Sequence, residues 1–206
     1  MARVGFGEIN QLVGLVVSRQ VFQGDLVHFG ISAGQLWTNA VAVGTLAAAF
    51  SNCTGGNAGS AYSTGLLRNL GKIILNNHTG AVKYPGEAAQ PDVFAWEKSV
   101  HGITSPEATA VLLDHWRFPL DVSGAICTHV TPETAGEFSA GAANLHLASA
   151  VAAEWGQALP GESTGWRRDA AMCALAGLDD AQLDGAVADA RRQFDRFTAI
   201  EWARAA

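Results

Sequence analysis

Six histidines, three cysteines and one arginine–asparagine pair are the side chains of this 206-residue chain whose chemistry asks first for an explanation. His101 and His115 have no second ligand at helical spacing, and His78, His101, His115 and His146 suit surface or capping positions better than metal ligation. His129 reads either as a core histidine with a satisfied ring or as one wall of a pocket. Cys53, Cys127 and Cys173 are far apart and form no C-x-x-C pair, which argues against a disulfide framework or a thiolate zinc site and fits a reducing cytoplasm. No G-x-G-x-x-G, P-loop or G-x-S-x-G pattern is present. Arg68-Asn69 is the pair that stands out. A guanidinium is permanently cationic and cannot ligate a metal. If buried, Arg68 must meet Asp, Glu or carbonyl oxygens, or reach water. Alternatively its charge could hold an anion such as phosphate.

The elements that must position these groups read as helices throughout. Gly7 to Val21 carries Ile9, Leu12, Val13, Val16 and Val17 at three-four spacing. Ile31 to Phe50 is apolar around most of its circumference and should be central. A third helix is expected from Gly59 to Asn77, with Gly71 marking a close helix contact. A short helix holds Phe94 and Trp96. Ser105-Pro106-Glu107 starts the next, with Ser105 as cap. Leu120 to Val130, Phe138 to Leu159 and Arg168 to Leu175 follow, and Asp179-Asp180 opens a last amphipathic helix with Leu183, Val187 and Phe194 on one face. No strand pattern or internal repeat is found, so the fold class is all-α, an irregular helical bundle.

Composition bounds the function. Apolar residues make up 49% and charged ones 16%, a globular balance. The net charge is −6 with no basic tract, so nucleic acid is not an expected partner. No Asp, Glu, Lys or Arg lies between Asp25 and Arg68, which predicts two strongly buried helices. The most apolar stretch, Ala40 to Phe50, is too short to span a bilayer, and no membrane partner is expected. The six tryptophans read as packing anchors, with Trp166 or Trp202 as a candidate contact surface.

Several segments, in order, resemble the HDOD family, bacterial signalling relatives of the HD-type metal-dependent phosphohydrolases. Gly65-Leu66-Leu67-Arg68-Asn69-Leu70-Gly71-Lys72-Ile73 has the frame of "G-L-L-H-D-I-G-K". Trp37 to Val43 is similar to "W-x-H-S-x-x-V-A", Glu97 to Pro119 to "E…G-x-x-H-x-x-x-G-x-x-L-L-x-x-W-x-L-P", and Ala125 to Pro132 to "A-I-x-x-H-H-x-P". Leu145 to Ser149 stands where relatives have "L-A-D". The resemblance implies an HD-like fold over residues 1–160, lacking the usual amino-terminal helices, with residues 161–206 as carboxyl-terminal helices packing on the same domain.

It also implies where a metal would be bound. The ligand positions fall on Asn39, Arg68, Asn69 and Ser149, and none supplies negative charge. Of the further histidines of related enzymes, Ser105 and Val130 replace two and His129 survives. The resemblance therefore implies a relic pocket of Asn39, Arg68, Asn69, His129 and Ser149, with no metal, no cofactor and no catalytic residue. The expected function is a non-catalytic regulatory or scaffolding domain in bacterial signal transduction, cytoplasmic and acting through protein partners. The alternatives are a module binding a small anion or nucleotide in the relic pocket, and a divergent metal-dependent phosphohydrolase. The family's opening "D-P-x-L…N-S" helices have no counterpart here. The stripe from Ile9 to Val17 is accordingly expected to be covered by homodimerisation or by the carboxyl-terminal helix.

Overall fold

The computed structural model describes residues 24–162 and 165–205, with side chains up to residue 199. Among the described residues the chain is helical with no strand, apart from one isolated bridge between Leu26 and Ile31. The helices are α1 (Ala33–Cys53), α2 (Ala58–Leu67), α3 (Leu70–His78), α4 (Val93–His101), α5 (Ser105–His115), α6 (Leu120–Thr128), α7 (Ser139–Glu154), α8 (Ala170–Ala176) and α9 (Asp180–Ala205). None among the described residues is long and apolar enough to cross a membrane. The stripe of Ile9, Leu12, Val13, Val16 and Val17 lies outside the described residues, as does the side chain of Trp202.

α1 is the axis of the bundle. Ser32 and Gln35 cap it reciprocally: the Ser32 hydroxyl accepts from the Gln35 amide at 3.2 Å, and the Ser32 amide donates to Gln35 Oε1 at 2.9 Å. Its residues Ala40 to Phe50 are almost all buried, against α2, α7 and α9. α2 approaches so closely that a Cβ on Gly65 would lie 2.5 Å from the Gly44 Cα. α3 packs on α5, α5 on α6 and α6 on α7, closing the bundle around one continuous apolar core.

Three local expectations are corrected. The single helix from Gly59 to Asn77 is two helices broken at Arg68-Asn69. Apolar periodicity runs through the break, but a residue distant in sequence makes it. Thr109 Oγ1 accepts from the Gly71 amide at 2.8 Å and lies 3.2 Å from the Arg68 carbonyl oxygen, taking backbone groups out of the helical ladder. The same contact explains Gly71, since a Cβ there would meet the Ser105 carbonyl oxygen at 1.9 Å. Ser105, in turn, is the first helical residue of α5 rather than its cap. Thr104 caps the helix, and the Glu107 carboxylate accepts from the Thr104 amide at 2.7 Å to complete the capping box. The helix expected from Phe138 to Leu159 ends at Glu154. The chain then continues as an irregular segment, here called the strap, which turns at 155–156 and again at 160–162 and reaches Glu162.

Candidate functional site

The break between α2 and α3 places Arg68 and Asn69 beside α1. Asn39 Oδ1 accepts from Arg68 Nη2 and from Asn69 Nδ2, each at 2.9 Å. Asn39 Nδ2 donates to the Gln157 carbonyl at 2.6 Å, so one amide ties α1, the helix break and the strap together. Arg68 Nη1 lies 3.4 Å from His129 Nε2, at the end of α6. Asn39, Arg68, Asn69 and His129 are thus joined. Ser149, on α7, is buried but donates to the Leu145 carbonyl of its own helix at 2.9 Å, and no hydrogen bond links it to the other four.

Three residues outside that set complete the cluster: Lys72, Glu97 and Glu162. Arg68 Nη2 is 2.8 Å from Glu162 Oε2, Lys72 Nζ is 3.1 Å from Glu162 Oε1, and Lys72 Nζ is 3.0 Å from Glu97 Oε1. Glu97 Oε2 accepts from the Ser105 amide at 2.6 Å. All four charged residues are at most 3% exposed, and two cations face two carboxylates. Aromatic rings wall them in. Lys72 Nζ lies 5.3 Å from the Phe29 ring centre and 5.0 Å from that of Phe94, and the Arg68 guanidinium carbon lies 5.5 Å from that of Trp166. Trp166 stacks on His129 at 5.4 Å, and His146 meets its edge at 5.3 Å. Trp166 is therefore packed over the cluster and is not the free contact surface expected of it.

The electrostatics follow from burial and pairing. Burial alone would raise the Glu162 carboxyl, but Arg68 and Lys72 outweigh it and hold the group at about 2. Burial would lower the Lys72 ammonium, yet Glu97 and Glu162 raise it above its ordinary value. His129 is pushed down to about 3, first by burial and then by Arg68. Its tautomer is fixed by its neighbours. A carbonyl can only accept, so Nδ1 carries the proton donated to the Ile126 carbonyl at 2.7 Å, and Nε2 is left to accept from Arg68. His146 repeats the pattern: Nδ1 donates to the His129 carbonyl at 2.8 Å and Nε2 accepts from the Arg167 amide at 2.9 Å. His146 is fully buried, against the surface or capping position expected for it.

As a ligand set these donors are poor. The Asn39 oxygen already accepts from two groups, His129 Nε2 faces a guanidinium, and each carboxylate is paired with a buried cation. Among the described residues no group of three or more His, Cys, Asp or Glu side chains is arranged to hold a metal ion. A cleft of about 290 Å³ lies between α1, α2, α6 and α7, lined in part by Ser51, Asn57, Ser60, Asp121 and Asn144, none of which belongs to the cluster.

An all-helical bundle with a buried polar cluster where α1, the α2–α3 break and the end of α6 converge is an HD-like fold. It superposes on a candidate phosphohydrolase from Shewanella amazonensis SB2B with a TM-score of 0.70 at 23% identity, over 92% of this chain and 70% of that one. It also superposes on a candidate signal transduction protein from Marinobacter aquaeolei VT8, with a TM-score of 0.71 at 24% identity, over 96% of this chain and 45% of that one. The MmoQ response regulator from Methylococcus capsulatus str. Bath gives 0.50 at 20% identity, over 75% of this chain and 60% of that one. At these identities the likeness shows the fold. Residues 1–132 match the HDOD domain, and the chain belongs to that family. No curated protein matches it. The chain spans less than half of the Marinobacter protein's length.

Proposed function

We propose that this chain is a non-catalytic regulatory HDOD domain, cytoplasmic, working in bacterial signal transduction through protein contacts, and that its metal site is lost. One observation carries the reading: the Arg68 guanidinium, bound to Glu162 at 2.8 Å, is joined through Asn39 to Asn69, three of the four positions at which the family resemblance would put metal ligands. Two buried cations, Arg68 and Lys72, would repel a dication from the space they share, and their carboxylate partners are already engaged. A metal-activated water has no place to form without those ligands. The signalling neighbour from Marinobacter supports the pathway class.

The alternative of a small-anion or nucleotide module is less well supported, because Glu162 already meets the Arg68 charge that such a ligand would need. The test is an assay of the purified chain on bis(p-nitrophenyl) phosphate with manganese or ferrous iron, beside affinity capture from its own cells. No turnover above the metal blank and a protein retained at stoichiometric level are expected. Turnover that chelation abolishes would defeat the reading.

A further inference from the structure

Glu162 occupies its place in a particular way. Its two oxygens are divided between two cations on neighbouring turns: Oε2 is hydrogen-bonded to Arg68, while Oε1 meets Lys72 at ion-pair distance, 3.1 Å, without a formed hydrogen bond. The rest of the cluster does not depend on it. Arg68 is also held by Asn39 and His129, and Lys72 by Glu97, which is itself fixed by the Ser105 amide. The Arg68 Nε–H is buried with no hydrogen-bond partner, a donor still open at the same centre. Glu162 comes from elsewhere, on the strap, and the strap has its own anchors. Leu159 is buried in the core, the Gly161 amide donates to Glu87 Oε1 at 2.7 Å, and the Gly161 carbonyl accepts from the Val93 amide at 3.0 Å. Gly161 has φ +74°, and a Cβ there would lie 2.3 Å from the Tyr84 hydroxyl, so the strap is seated by a residue that only glycine can supply.

We propose that Arg68 and Lys72 form a binding site for one carboxylate-class oxyanion, and that Glu162 is its built-in occupant. The inference rests on the metal-free reading above and deepens it: the site is filled by a ligand of the chain's own rather than merely emptied. A planar guanidinium and an ammonium facing one carboxylate is a geometry that recognises oxyanions by paired, charge-assisted bonds. Because the walls and the strap are held independently, cutting Glu162 back to Cβ leaves a carboxylate-sized space facing two cations. Free formate or acetate then fills it, and stabilises the fold in proportion to its occupancy.

The test is thermal melting of the full chain, wild type, Glu162→Ala and Glu162→Gln, titrated with sodium formate against sodium chloride at equal ionic strength. The expected result is a melting temperature well below wild type for Glu162→Ala that rises with formate but not with chloride. Wild type, whose site is full, and Glu162→Gln, whose amide fills the same volume, show no formate-specific rise. If Glu162→Ala does not fold alone, it is refolded in each salt, and recovery in formate only is expected. No formate-specific rise or recovery in Glu162→Ala, or an equal rise in all three proteins, overturns the proposal. Manganese added to wild type in the same experiment separates the two claims, since stabilisation by manganese would sink the metal-free reading whatever formate does.

Discussion

Arg68–Glu162 and Arg168–Asp184 are ion pairs of nearly the same length, 2.8 and 2.7 Å, in opposite surroundings. The first is closed off beneath aromatic rings. The second lies on the surface, with the Asp184 side chain 74% exposed, and Arg168 shares itself with Glu154 at 3.0 Å. Distance therefore says little about what each contributes. In water an ion pair replaces hydration it can regain at once. In the core each charge has lost hydration it cannot recover, so removing one partner strands the other. The buried pair is a constraint on which residues may stand together, and the surface pair is close to optional.

That contrast can be broken most forcefully at Glu162. Glu162→Ala is expected to lower unfolding stability by roughly 3–5 kcal/mol, measured by urea denaturation, because Arg68 is left buried and Lys72 keeps one carboxylate for two cations' worth of field. The double variant Arg68→Met/Glu162→Gln should lose less than Glu162→Ala, since it strands no charge. A double variant that loses as much as the two single changes together would show that the pair is not coupled.

Acid sharpens the comparison next. Glu162, ordinarily near 4.5, titrates at about 2 when folded, so its contribution is present above 4.5 and disappears as pH falls toward 2. His129, ordinarily 6.5, titrates at about 3 when folded. The unfolded chain binds its proton first, so stability also falls as pH drops from 6.5 toward 3. The urea midpoint should decline steadily from pH 7 to pH 4, and Glu162→Gln should flatten the part of the curve below 4.5. A midpoint unchanged between pH 7 and pH 4 would contradict this account of His129, and a curve below pH 4.5 that Glu162→Gln leaves as steep as wild type would contradict that of Glu162. The smallest effect is expected at the surface: Arg168→Ala should cost less than about 1 kcal/mol, and less still in high salt.

The sequence made part of this legible. Asn39, Arg68, Asn69 and His129 were readable as one site because each sits in a short motif whose frame survives substitution, and the demand that a buried Arg68 find a carboxylate was readable from charge alone. Glu162 was not. It follows Pro160-Gly161, which reads only as a helix breaker, and nothing in the local pattern says that the strap turns inward. A hint existed in Lys72: with Arg68 it is one of the first two charges after Asp25, inside an apolar helix, and two buried cations require two carboxylates. The break at Arg68-Asn69 was illegible for a different reason, since Thr109, some forty residues away, makes it. The burial of His146 is not legible in the sequence, because a lone histidine on an alanine-rich helix carries no sign of the two backbone groups that satisfy its ring.

The central claim is that the chain's own charges stand where a metal would be held. Elemental analysis of the protein, purified after expression in medium supplemented with iron, manganese and zinc, tests it most directly. Well under one equivalent of any of these metals per chain is the predicted result. One or more equivalents that survive mild chelation and are lost in a variant at Asn69 would contradict it.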